Sequence, residues 1–141
     1  MIDTGTVGKT RDVGWQIGVS KTLPYPIDAV WSLIVGDPSL WLGAGSEIPH
    51  DKGVQWQSDD GTTGELRSRH ESDRVRLTWR PSTWSHDTTV QVAVQATPAG
   101  TVLRFHQERL AGPGERQQQR GHWQAALARI ERALERSTGT A

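Results

Sequence analysis

Residues 115–136, ERQQQRGHWQAALARIERALER, place Trp123, Leu127, Ile130 and Leu134 at i, i+4, i+7 and i+11, with Ala126 and Ala133 beside them. That spacing draws one apolar stripe along an α-helix and leaves Arg129 and Arg132 on its wet side. At about 1.5 Å of rise per residue the helix spans roughly 33 Å, enough to cross a whole sheet. Gly112-Pro113-Gly114 separates it from everything before. From Gly53 to Arg109 the apolar period is two, and turn residues punctuate it repeatedly, the pattern of successive antiparallel strands. Val54 and Trp56 lead into Asp59-Asp60-Gly61, a hairpin signal, and Glu65 to Glu71 follow. Val75, Leu77 and Trp79 then alternate with Arg74, Arg76, Thr78 and Arg80, which predicts one dry and one wet face. Val90, Val92, Val94 and Ala96 form the longest run, and Leu103 and Phe105 the last.

Working further out, Trp15, Ile17 and Val19 predict a first strand that Pro24 and Pro26 stop. Ile27, Val30, Trp31 and Ile34 then fall on one helical face, and a single turn carrying Trp41 and Leu42 follows Gly36. The expectation is an α+β fold: six antiparallel strands in one curved sheet, two short helices after strand one, and the long C-terminal helix as the cover its apolar face needs.

The chain of 141 residues suits one domain, taken as residues 14–136, with 1–13 as a flexible N-terminal arm and 137–141 as a loose tail. Lys plus Arg and Asp plus Glu both number 16, so no net field gathers phosphate backbones or anionic lipid, and neither nucleic acid nor membrane is an expected partner. There is no Cys, which excludes disulfides and thiolate chemistry. No apolar run has the length of a membrane span and the N-terminus lacks a signal-peptide core, so the expected location is cytoplasmic.

The order of elements resembles the START/Bet v 1-like, or SRPBCC, superfamily with its helix-grip fold. Within it the sequence is most similar to homologues of the C-terminal part of activators of the Hsp90 ATPase. The resemblance is carried by Pro26-Ile27-Asp28-Ala29-Val30-Trp31, the Asp60-Gly61 to Gly64 hairpin segment and Val75-Arg76-Leu77-Thr78-Trp79. Further on it is carried by Thr89 to Ala96, Thr101 to Leu110, and Gly121-His122-Trp123 ending in Leu127. It implies an apolar pocket between sheet and helix, with the region between Trp31 and Asp51 as one wall of its mouth. Members of the superfamily also include protein-interaction modules, polyketide cyclases and proteins that sequester antibiotics.

No motif here is catalytic. The five His residues show no ligand spacing, so neither a metal site nor a cofactor is expected. Ser68 and His70 share a parity, yet no Gly-x-Ser-x-Gly elbow accompanies them. Gly5 to Thr10 lacks phosphate-loop spacing. Arg67, Arg69, Arg74, Arg76 and Arg80 read as a solvated outer sheet face. The informative face is the inner one. Parity assigns to it Trp56, Leu66, Ser68, His70, Leu77, Trp79, Val92, Val94, Phe105 and Gln107, faced by Trp123 and Leu127 from the helix and flanked by Trp31 and Trp41. Mostly apolar walls with a few polar groups are the makeup of a ligand pocket, unless Ser68, His70 and Gln107 pair with one another, with water or with backbone. The expected function is therefore a non-enzymatic binding domain for a hydrophobic or aromatic small molecule. A co-chaperone-like module with a protein partner, and a cyclase or natural-product sequestration protein, are the alternatives. The segment from Gly36 to Gly53 is either a lid over the site or a loop whose Trp41 packs permanently.

Overall fold

The computed structural model describes residues 9–10 and 14–139. The elements are β1 (Lys9–Thr10), β2 (Gly14–Leu23), α1 (Ile27–Gly36), α2 (Ser39–Leu42), β3 (Gln55–Gln57), β4 (Thr63–His70), β5 (Arg74–Trp79), β6 (Thr88–Thr97), β7 (Gly100–Leu110) and α3 (Pro113–Gly139). The six expected strands are β2 to β7. All pairings are antiparallel, in the order β1-β2-β7-β6-β5-β4-β3, so the first long strand returns to pair with the last. With α3 across one face, this is the expected α+β helix-grip arrangement. Of the N-terminal arm, Lys9 and Thr10 pair with Trp15 and Gly14 at the sheet edge. The rest of the arm, and Thr140 and Ala141 of the tail, lie outside the described residues, while α3 itself continues through Gly139.

The dry face is built in rows across the strands. Val19, Phe105, Val92 and Val75 stand opposite one another in turn, and the next row contains Ile17, Gln107, Val90 and Leu77. Onto these rows α3 lays Trp123, Ala126, Leu127, Ile130 and Leu134, all buried, and α1 adds Val30 and Ile34. Glu115 stabilises the start of α3 by accepting the Ala111 N–H at 2.9 Å, and Pro113 occupies the first helical position, where no N–H is needed.

Two irregularities shift faces. In β4, Leu66 pairs with Leu77 but Ser68 pairs with Arg76, so Arg67 is one extra residue and the strand bulges there. Beyond the bulge every side chain changes sides. Ser68 and His70 stand with Arg76 and Arg74 on the outer face, and Arg69 joins Val75 on the inner one. The expectation that Ser68 and His70 face the helix is corrected by this one inserted residue, as is the placement of Arg69 with the outer arginines. A second bulge lies where β7 runs from Gln107 to Leu110 against Ile17 and Trp15, and Arg109 takes a left-handed conformation there at φ 69°.

The segment from Gly36 to Gly53 is tied down at several points. Trp41 is 1% exposed and donates its indole N–H to the Ile34 carbonyl at 3.0 Å. Asp59 N–H reaches the Ala44 carbonyl at 2.8 Å, and Arg129 Nε donates to the Leu40 carbonyl at 2.9 Å. Of the two readings, permanent packing of Trp41 is the one the geometry carries. Arg129 is also not a purely wet residue of α3, because it clasps α2.

Candidate functional site

The residues expected to line a pocket are mostly brought together, and their side chains fill the space between them. Trp41 lies 5.8 Å from Phe105, and Phe105 stacks on Trp123 at 4.9 Å with 14° between the planes. Trp79 is 6.2 Å from Trp123. Leu66, Leu77, Val92, Val94 and Leu127 close around these rings and are buried. Trp56 sends its indole N–H to the Thr78 carbonyl at 3.0 Å. Trp31 donates to Glu71 Oε2 at 2.8 Å, and that bond, together with Arg69 at 2.6 Å from Oε1, holds the Glu71 carboxyl below its usual pKa.

Gln107, the polar residue that parity does place inside, has its partners within the protein. Its Oε1 accepts from Trp123 Nε1 at 2.8 Å and from Gln119 Nε2 at 3.0 Å, and its Nε2 donates to Thr88 Oγ1 at 2.9 Å. Thr88 in turn donates to the Trp79 carbonyl at 2.6 Å. This chain of bonds fastens α3 to β5, β6 and β7 and leaves no group of Gln107 aimed at a ligand. Two grooves of the described residues lie elsewhere: about 500 Å³ along Gln55, Trp56, Gly64 and Thr78, and about 370 Å³ beside Gly36, Ser46, His50 and Arg69.

Polar and aromatic groups converge instead at one end of the core, where β5, the loop from Pro81 to Asp87 and the first half of α3 meet. Trp84, half-buried on that loop, stands edge-on to Trp79 at 5.4 Å, and His86 stacks on Trp84 at 5.2 Å and 17°. His86 Nε2 is 3.1 Å from Glu115 Oε2, which links the loop to the start of α3. Arg80 Nε donates to the Trp84 carbonyl at 3.0 Å. His122 also packs against Trp79, 5.6 Å away ring to ring, with Trp123 perpendicular to it at 4.5 Å.

His122 Nε2 is buried and has no hydrogen-bond partner, the one such side-chain atom among the described residues. Burial, aided by Arg129 and opposed by Asp60, holds its pKa below the ordinary histidine value. Asp60 belongs to the β3–β4 turn, where Ser58 and Thr62 donate to it and lower its own pKa. That turn touches the loop, since a methyl group on Gly61 would meet Ser82 Cβ at 3.2 Å. Sequence reasoning had Trp79 and Trp123 for this cluster and missed Trp84, His86 and His122. The available signal was the i, i+1 pair His122-Trp123, which puts one ring on the apolar stripe and the other at its margin. For the loop residues, no periodicity existed to read.

The model of the family described as Activator of Hsp90 ATPase homolog 1-like protein matches residues 24–135. The chain belongs to this family. Solved structures share the fold of this activator-homolog domain at low identity. DynU16, from the dynemicin biosynthetic locus, is 20% identical with a TM-score of 0.74 over 85% of this chain, which spans 47% of DynU16, about half its length. CalU16 from Micromonospora echinospora is 15% identical with a TM-score of 0.75, over 92% of this chain and 83% of its own. PFC0360w, an HSP90 activator from Plasmodium falciparum, is 17% identical with a TM-score of 0.69, over 86% and 96%. No curated protein matches the sequence. Among the described residues no helix of the activator-homolog domain is long and apolar enough to cross a membrane.

Proposed function

We propose that this domain binds an aromatic or otherwise hydrophobic small molecule without transforming it, and that the ligand enters between sheet and helix at the Trp79, Trp84 and His122 end. The observation that carries the reading is the half-buried Trp84 ring, held edge-on to the buried Trp79 by a short loop rather than by a strand or helix. Aromatic rings placed so are a ready surface for a planar ligand, worth about 0.5–1.5 kcal/mol per ring pair beyond the area they bury. The centre of the core is packed with rings, so the ligand takes the place that Trp84 now fills. The resemblance to DynU16 makes natural-product sequestration the form of this reading to try first.

Thermal shift and equilibrium dialysis against a panel of fatty acids, polyketides and polycyclic aromatics test it. Planar aromatics raise the melting temperature saturably and straight-chain fatty acids do not; silence across the whole panel removes the reading. A second reading, a module that docks on a chaperone, is favoured by family membership and the likeness to the Plasmodium activator. Adding the domain to an Hsp90 ATPase assay separates the two, because a ligand carrier leaves the rate unchanged.

A further inference from the structure

We propose that His122 determines which aromatic ligand is held, by accepting a hydrogen bond at Nε2 from a hydroxyl on the ligand ring. The preferred class is then a hydroxylated planar aromatic rather than its methyl ether. The inference rests on the reading of the Trp79–Trp84 end as an aromatic site and adds what orients a ligand there.

The starting point is the orphaned atom. His122 Nε2 is buried without a partner, whereas the Gln107 amide close by is bonded on both sides. A buried polar atom left unpaired forfeits its hydration with nothing in return, and native structures hold few of them. The nearest rings cannot relieve it. Trp123 stands perpendicular to His122, and its indole N–H is already committed to Gln107 at 2.8 Å. Trp79 adds a second aromatic wall.

The direction of the missing bond follows from the state of the ring. Burial and the neighbouring Arg129 disfavour the cation, so one ring nitrogen carries the proton and the other a lone pair. Protein interiors tolerate an under-satisfied acceptor better than an orphaned N–H, which puts the lone pair on buried Nε2. The group that completes the site is therefore a donor. It arrives on a ring that replaces Trp84 beside Trp79, since Trp84 is a partly exposed loop residue and packs, like His122, against the Trp79 ring.

The test compares 2-naphthol with 2-methoxynaphthalene by equilibrium dialysis, using the full chain and its His122→Phe variant. The two probes have the same ring system, and only the first can donate. The wild-type chain is expected to hold 2-naphthol about tenfold more tightly, the value of one net hydrogen bond in a dry site. In His122→Phe the two probes bind alike, at the level of the ether. His122→Leu repeats the comparison should the larger ring fail to pack. Equal binding of both probes by wild type, or an unchanged preference in the variants, overturns the role of His122 and leaves the aromatic site standing. Failure of both probes to bind wild type overturns the aromatic site itself and this inference with it.

Discussion

A methyl group on Gly64 would sit 1.8 Å from the Thr78 carbonyl oxygen and 2.5 Å from Trp56 Nε1. Glycine at this point of β4 lets the Trp56 indole reach across to β5 and donate to that same carbonyl. Gly64→Ala is expected to cost at least about 1–3 kcal/mol, read from the urea midpoint, because both the oxygen and the indole must move. Gln107→Leu strands Trp123 Nε1 and Gln119 Nε2 in the core, at about 1–3 kcal/mol for each donor left without a partner. A near-silent Gln107→Leu would mean that water or a rearranged side chain replaces the amide.

The histidines set the sign of the pH dependence. His122 and His106 are both held below the ordinary value of 6.5, each by burial first. Arg129 adds to the effect at His122 and Asp60 opposes it; at His106, Glu108 opposes and Arg76 adds. Between the folded pKa and 6.5 the unfolded chain binds more protons than the native one, so stability rises with pH there. It is fully present above 6.5 and is lost as pH falls toward the folded values. Denaturant unfolding at a series of pH values is expected to show this decline, and His122→Phe to flatten part of it. A stability that grows on acidification from pH 7 to 5 contradicts the assignment.

At the scale of elements, α3 is where sequence and structure agree most closely. Leu127 and Ile130 are 6% and 0% exposed, and truncating either to Ala is expected to cost about 2–5 kcal/mol. Arg132, exposed on the opposite side, is expected to tolerate Ala within about 0.5 kcal/mol. Arg129→Ala is expected to cost about 1 kcal/mol, because it releases the Leu40 carbonyl and with it α2. The helical stripe was legible because about six turns repeat one rule, and the strands because their alternation survives wherever pairing is regular. Parity failed at Arg67, where a bulge is a property of the pairing and leaves no mark in one strand's own sequence. Ser68, His70 and Arg69 were misplaced for that reason alone. The aromatic end was hidden for another reason: Trp84 and His86 lie in a loop, and the contacts of Trp84 with Trp79 and of His86 with Glu115 depend on how that loop folds.

For the whole molecule, the proposed entry of a ligand requires the loop from Pro81 to Asp87 to yield while the segment from Gly36 to Gly53 stays a fixed wall. Hydrogen exchange is expected to find the backbone around Trp84 quick to exchange and Trp41 as protected as β6, with ligand slowing the loop. The most direct measurement follows the side-chain indole N–H signals of the seven tryptophans by NMR while 2-naphthol is added. Large shifts are expected for Trp84, Trp79 and Trp123, and little change for Trp31, Trp41 and Trp56, whose N–H groups stay bonded to Glu71, Ile34 and Thr78. Shifts centred on Trp31 and Trp41 with Trp84 unmoved would contradict it.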